Sequence, residues 1–446
     1  MPQQAAALDP LWAENGVEPG KFPQTQDASR CDKGKIKKPL LLADVVDLAL
    51  CNNPQTRALW ASSRAQAATV GVNMAAYLPT LTAQGTASRN REQIGNNAAV
   101  SSRSETVGLS ASYLLLDFGA RSGNLENAQQ LLVAANATRD ATLQTNFLTA
   151  VQSYYALLSA RANVLSTQAA ENSARESLAA ALARYQAGAA TPADKLQAQT
   201  ALSQATLNLI TAQGNERNAQ GALANVMGFD ASQPFDLAPV AETAPDPVVE
   251  QDIGKLIAEE RQKRPDLAAA DAQIKAAEAQ LSATRATGRP NLSLNASAAS
   301  ARTSGAPTSN SGSIGVTLSV PLFTGFRNTY QNHVAEQQLE GKVASRDLLS
   351  NQVALDVWRA YQTLLANSQA LRAADDLQTS ATQSGEVTLG RYKAGVGNIL
   401  DVLNAQSILA NARQQRVSAL YNFLVSRMAL AQSIGQLDLT LLGEKN

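Results

Sequence analysis

The sequence predicts a mainly α chain that carries membrane-type β-strands and arose by internal duplication. Three observations predict it: one stretch occurs twice, apolar residues keep helical spacing over very long runs, and four segments alternate with a period of two. The repeated stretch reads RYQAGAATPADKLQAQ from Arg184 to Gln199 and RYKAGVGNILDVLNAQ from Arg391 to Gln406. Tyr185 matches Tyr392, Gly188 matches Gly395, Asp194 matches Asp401 and Gln199 matches Gln406, each pair 207 residues apart. Solenoid arrays repeat every ~20 to 50 residues, so a period near half of a 446-residue chain marks duplication of one large unit. Each copy joins two helical segments through a short Gly-containing turn, as an antiparallel helical hairpin does.

Taken in order, residues 1–39 lack periodicity and read as an irregular, partly disordered leader. Residues 40–228 form the first repeat. A helix starts at LLLADVVDLALCNNP, is interrupted or kinked at Pro54 and resumes to about Ala76. Leu81, Ala83, Gly85 and Ala87 then alternate with Thr80, Thr82, Gln84 and Thr86, a strand rhythm. After a polar loop at 89–104, Val107, Leu109, Ala111, Tyr113 and Leu115 alternate with small polar residues as a second strand. From Ser122 to Tyr185 the helical signal runs almost unbroken, with Leu143, Phe147, Val151, Tyr154, Leu158, Ala162 and Leu165 as its apolar stripe. A helix of ~65 residues is ~100 Å long, a length used by coiled coils and long bundles. After the first tip, a helix over Pro192–Met227 returns only part of the way.

Residues 229–250, rich in proline and acid, form a linker. Residues 251–435 repeat the order: a helix from about Asp252 interrupted at Pro265, a strand at RPNLSLNASAAS, a loop at 302–312 and a strand carrying Ile314, Val316, Leu318, Val320 and Leu322. A second long helix runs to the second tip, and a final helix over Ile399–Ser433 bears Ala410, Val417, Tyr421, Leu424 and Met428. Residues 436–446 are a C-terminal tail.

Composition narrows the function. Aromatics are only 4% of the chain and much of the 45% hydrophobic content is alanine, which fits helices with small residues at their seams. No stretch reaches the ~18 to 20 apolar residues of a membrane-spanning helix. With 37 basic and 37 acidic residues nothing electrostatic recommends nucleic acid. The N-terminus shows no charged head before an apolar run, so no signal peptide is visible; this fits a cytosolic protein or a mature form with an added start methionine. The two cysteines, Cys31 and Cys51, form a disulfide in an oxidising compartment or stay as structural thiols. No phosphate loop, HExxH or nucleophile elbow occurs, and a single histidine, His333, excludes triads and multi-histidine metal sites. No enzyme activity, cofactor or metal is expected.

The four strands are each ~10 to 12 residues long with one apolar face, the length and patterning of outer-membrane barrel strands. Four strands cannot close a barrel, and an open edge in lipid leaves backbone groups unsatisfied. Three copies supply twelve strands, within the ~8 to 26 of known barrels.

In these features the chain resembles the TolC-type trimeric outer-membrane channel proteins over about residues 40–435. The resemblance rests on LCNNP and RPDLAAA in the first helix of each half, on LFTGFRN before the second long helix, and on RYKAGVGNILDVLNAQ at the second tip. It implies a homotrimer whose twelve-stranded barrel sits in outer-membrane lipid and continues as a long α-helical periplasmic tunnel. The strand loops would face outside the cell and the tips would form the closable inner end. Sequence details point to the protein-secretion branch, similar to exporters of repeat-in-toxin proteins, although small-molecule efflux stays open. The implied partners are a periplasmic adaptor and an inner-membrane transporter of the ABC type. A soluble coiled-coil scaffold or a periplasmic adaptor is the alternative function.

The resemblance also carries site residues. Positions equivalent to Asp401 and Asn404 are commonly both acidic and line the pore, and here only the first is acidic. Asp194 and Tyr392 match a carboxylate-to-phenol pair that latches the closed tip. The arginine expected as a further latch partner at position 398 is Asn398. Gly188, Gly395 and Gly397 are expected to supply the backbone conformations of tight tips.

Overall fold

The computed structural model describes residues 10–18, 20, 22, 39–93, 95, 99–238 and 264–437. The helices are α1 Leu42–Asn52, α2 Pro54–Ala75, α3 Ala120–Gln186, α4 Pro192–Val226, α5 Pro265–Ala286, α6 Arg327–Lys393 and α7 Ile399–Ser433. The strands are β1 Thr80–Glu92, β2 Val100–Leu116, β3 Asn291–Thr303 and β4 Ser309–Ser319. Each half therefore runs helix, hairpin, long helix, tip, half-length helix. The two long helices are each 67 residues, about 100 Å at 1.5 Å per residue, and the two returning helices are each 35 residues. Among the described residues no helix is long and apolar enough to cross a membrane.

The chain divides into two compact units, one built from residues 61–138, 266–348 and 1–18, the other from 19–60, 139–265 and 349–446. The first holds the four strands, ordered β1-β2-β3-β4 and antiparallel throughout. Register pairs Leu81 with Ala111, Leu109 with Ala298, and Ala296 with Ile314, so the apolar residues of all four strands share one face. Leu81, Val107, Ile314 and Leu318 on that face are 74%, 67%, 77% and 63% exposed within one chain, far too apolar a patch for water. The strands outrun the expected loops. Residues 89–92 and 100–104 pair as strand, so the first loop is shorter than expected, and 302–303 and 309–312 shorten the second to 304–308. Backbone pairing continues there although the side chains cease to alternate apolar with polar.

The alanine content is explained in α5. Ala269, Ala272, Ala276, Ala279, Ala283 and Ala286 are all buried, a three-four spacing that puts one small residue per turn on a single seam. Asn127 of α3 donates to the Ala276 carbonyl across that seam at 2.7 Å. Where β2 enters α3 and β4 approaches α6, Phe118 and Phe326 adopt positive φ of 52° and 62°, a strained region for a bulky residue. Phe118, Phe323 and Phe326 are largely exposed there. Arg121 is bound to Asp117 and lies 4.9 Å over the Tyr77 ring.

The second unit has the larger core, which includes Phe22, Leu40, Val46, Leu50, Leu143, Phe147, Tyr154, Leu157, Leu223 and Met227. The apolar stripe of α3 is buried from Leu143 to Leu158, but Leu165 is 73% exposed. On α7 the buried apolar positions are Ile399, Val402, Ala405, Ala412 and Phe423, while Tyr421, Leu424 and Met428 are only partly buried against the core. The expected kink at Pro54 is a break and restart. Asn53 is extended, its Oδ1 accepts from the Gln55 amide, and proline takes the first turn of α2, where its missing N–H costs nothing. Pro265 opens α5 in the same way; the expected helix before it falls on residues outside those described.

The leader and linker carry little regular secondary structure where described, yet parts of them pack into the core. Phe22 is fully buried with its ring 6.1 Å from Phe147. Leu40 bridges Leu237 in parallel, its amide donating to the Asp236 carbonyl at 2.8 Å. Cys51 is buried and disulfide-bonded; the only other cysteine, Cys31, lies outside the described residues.

Candidate functional site

The two tips are the same turn made twice. After α3, the Ala189 amide donates to the Arg184 carbonyl at 2.8 Å, and after α6 the Val396 amide donates to the Arg391 carbonyl at 3.0 Å. This six-to-one closure needs a left-handed residue, supplied by Gly188 at φ 73° and Gly395 at φ 84°. Gly397 serves otherwise: a Cβ there would stand 3.0 Å from the Tyr392 amide nitrogen, so glycine is set by close backbone approach.

The returning helices are capped by unequal chemistry. Thr191 caps α4 by accepting from the Asp194 amide, while the Asp194 carboxylate accepts from the Thr191 amide at 2.8 Å, a reciprocal capping box. At α7 the Asn398 side chain accepts from the Leu400 amide at 3.2 Å. Asp401 and Asn404 are exposed on the face of α7 opposite the buried Ile399, Val402 and Ala405. The arrangement thus presents a free carboxylate and an amide one turn apart.

The expected Asp194–Tyr392 latch does not form within the protomer. The Asp194 carboxylate is engaged in its cap, and Asn398 is engaged in its own. Tyr392 is 3% exposed, packed with Ile399 and Val402, and its hydroxyl has no hydrogen-bond partner among the described residues. Burial pushes its phenol above the ordinary value; the nearby Arg184 opposes the rise and Asp194 adds to it. The contact that does join the tips comes from Arg184. Its guanidinium lies 4.7 Å over the Tyr392 ring and donates to the Tyr392 carbonyl at 2.9 Å. These residues border a cleft of about 380 Å³ that Asp194, Gly397 and Asn398 also line. Arg184 is absent from the sequence-based set, although the repeated Arg-Tyr pair was a signal for it. Further along, Gln406 donates to the buried Ser177 hydroxyl at 2.9 Å and ties α7 to α3.

Tyr392→Phe is therefore expected to leave thermal stability unchanged or raise it, because an unpaired buried hydroxyl costs about 1–3 kcal/mol. A fall in melting temperature would show that the phenol is bonded after all.

The sheet carries the second functional surface. Opposite its apolar face stand Thr82, Thr86, Ser110, Ser112, Asn295, Ser297, Ser313 and Thr317, with no charged side chain on that face between Thr80 and Asn90 or along β4. Asn295 links Ser112 and Thr317 at 3.1 and 3.3 Å, and Ser297 meets Ser313 at 2.8 Å.

Amphipathic strands with a neutral hydrophilic inner face, joined in sequence to duplicated 67-residue helices, define an outer-membrane channel. Residues 45–229 and 256–436 match the family model of the outer membrane efflux protein, and the chain belongs to this TolC-type family. It is 32% identical to protein CyaE of Bordetella pertussis over 89% of this chain and 84% of that protein. Outer membrane protein OprJ of Pseudomonas aeruginosa is 31% identical over 82% of this chain and 78% of its own length. A solved membrane protein from Pseudomonas aeruginosa superposes with a TM-score of 0.79 at 25% identity, covering 88% and 93% of the two chains. Three copies thus contribute twelve strands to one outer-membrane barrel, and the long helices belong to a periplasmic tunnel. The scaffold and adaptor alternatives fall away.

Proposed function

We propose that the chain is the outer-membrane duct of a tripartite export assembly, receiving cargo from an inner-membrane ABC-type transporter through a periplasmic adaptor, with the helix tips as its gate. The observation that supports this most is the barrel's inner face, lined by hydroxyl, amide and small side chains. Such a wall holds neither an apolar nor a charged ligand and lets a polypeptide of mixed composition slide past. In this reading Asp401 and Asn404 line the tip constriction, and three copies of Asp401 make an acidic ring that prefers cations. Arg184 holds the second tip through Tyr392, while Asp194 and Asn398 fix the starts of the returning helices.

The purified trimer in a planar bilayer is the test. A stable, cation-preferring channel of low resting conductance is the expected result. Failure to form channels, or a preference for anions, would remove the duct and its gate respectively.

A further inference from the structure

The outward face of the barrel ends in a cluster of arginines. Alternation carries the apolar face of β1 through Leu81, Ala83, Gly85 and Ala87 onto Arg89 and Arg91. Register sets Arg89 directly opposite Arg103 on β2, and Glu105 opposite Arg302 on β3. Four arginines and one glutamate thus share the outward face at the end of the strands remote from the helices. Glu92, the other carboxylate nearby, alternates to the inner face.

Position and charge both need a partner. Leu81 and Arg89 are eight residues apart, about 27 Å along a strand and about 21 Å along the membrane normal at the usual tilt. The apolar band of such barrels is ~25 Å tall, so Arg89 and Arg103 stand at its outer rim and Arg91 just beyond. Like charges directly opposed across strands are destabilising. Of the four, only Arg103 is ion-paired, to Glu105 at 2.6 Å; Arg89, Arg91 and Arg302 have no polar partner among the described residues. Neither outer turn contains an acidic residue, and the outer end of β4, which meets β1 of the next copy when the barrel closes, offers Asn310 and Gly312 on that face. One glutamate against four arginines therefore leaves the cluster positively charged.

We infer that this cluster binds the phosphate groups of a phosphorylated lipid in the outer leaflet, one site per protomer around the barrel. Arginine forks pair with phosphate oxygens in two parallel hydrogen bonds, and a headgroup seated there would separate Arg89 from Arg103. The acyl chains would lie on the adjoining apolar face, at Val107, Leu109 and Ile314, which makes a lipid the occupant.

The test uses the intact trimer in detergent, titrated with diphosphoryl lipid A and with its dephosphorylated form, and read by native mass spectrometry. Wild type should retain the phosphorylated lipid, and the combined Arg89→Ala, Arg91→Ala and Arg302→Ala variant should bind it more weakly by about tenfold or more, about 1.4 kcal/mol. The corresponding lysine variant should lie between them, and excess inorganic phosphate should not displace the lipid. Equal binding of both lipids by wild type, equal binding by the alanine variant, or displacement by inorganic phosphate would each overturn the site. Trimer mass and single-channel conductance of the alanine variant should match wild type, which separates loss of lipid from loss of fold.

Discussion

Arg184→Ala should raise the open population of the tip by about tenfold to a hundredfold. The side chain gives the Tyr392 carbonyl a charge-assisted hydrogen bond at 2.9 Å, a type worth about 1.5–3 kcal/mol. It also faces the Tyr392 ring at 4.7 Å, worth about 0.5–1 kcal/mol where water still reaches the pair. Arg184 is half-buried, so the sum is discounted to about 1.5–3 kcal/mol, and each 1.4 kcal/mol is a factor of about ten in an equilibrium. Single-channel recordings read the change as open probability. Arg184→Lys should fall between, since an ammonium keeps the charge and loses the planar stack. An Arg184→Ala channel whose open probability stays within about twofold of wild type would show that the tips are held elsewhere.

Asp401→Asn should bring the cation preference close to neutral and weaken block by divalent cations by about tenfold or more. The carboxylate is exposed in the first turn of α7, and threefold symmetry multiplies it. Each unit charge near ~4 Å contributes about 1 kcal/mol even in water, so three acting on one ion are decisive. Asn404→Asp should do the reverse by adding a second ring one turn along. A purely local role makes a different forecast: as a carboxylate at a helix N-terminus, Asp401 would contribute about 0.3–1 kcal/mol of stability, and selectivity would not move on its removal. Measuring reversal potential and melting temperature on the same variant separates the two.

The tip illustrates why function was only partly legible beforehand. Gly188 and Gly395 could be placed from the repeat, because a six-to-one turn after a long helix demands a left-handed residue whatever surrounds it. The resemblance pairs Asp194 with Tyr392, yet within the protomer each answers to its own neighbourhood: a carboxylate three residues past a threonine satisfies the amide of that threonine, and a tyrosine packed on Ile399 and Val402 is buried. Arg184 was missed because its partner lies 208 residues away. The repeated Arg-Tyr pair marks the residue, but no local pattern records which distant ring and carbonyl it approaches.

The same division holds for the whole chain. The repeated tip determined the duplication, and periodicity determined both long helices, the four strands and their two faces, because side-chain alternation and helical stripes are local consequences of backbone geometry and solvent. Pairing beyond the apolar band, the burial of Phe22 from the leader, the Leu40–Leu237 bridge, and the choice of Phe423 over Tyr421 as the buried position were decided only in three dimensions. Those outcomes depend on which distant surface is available to bury a side chain or to complete a backbone hydrogen bond, and that is settled by packing between segments far apart in the chain.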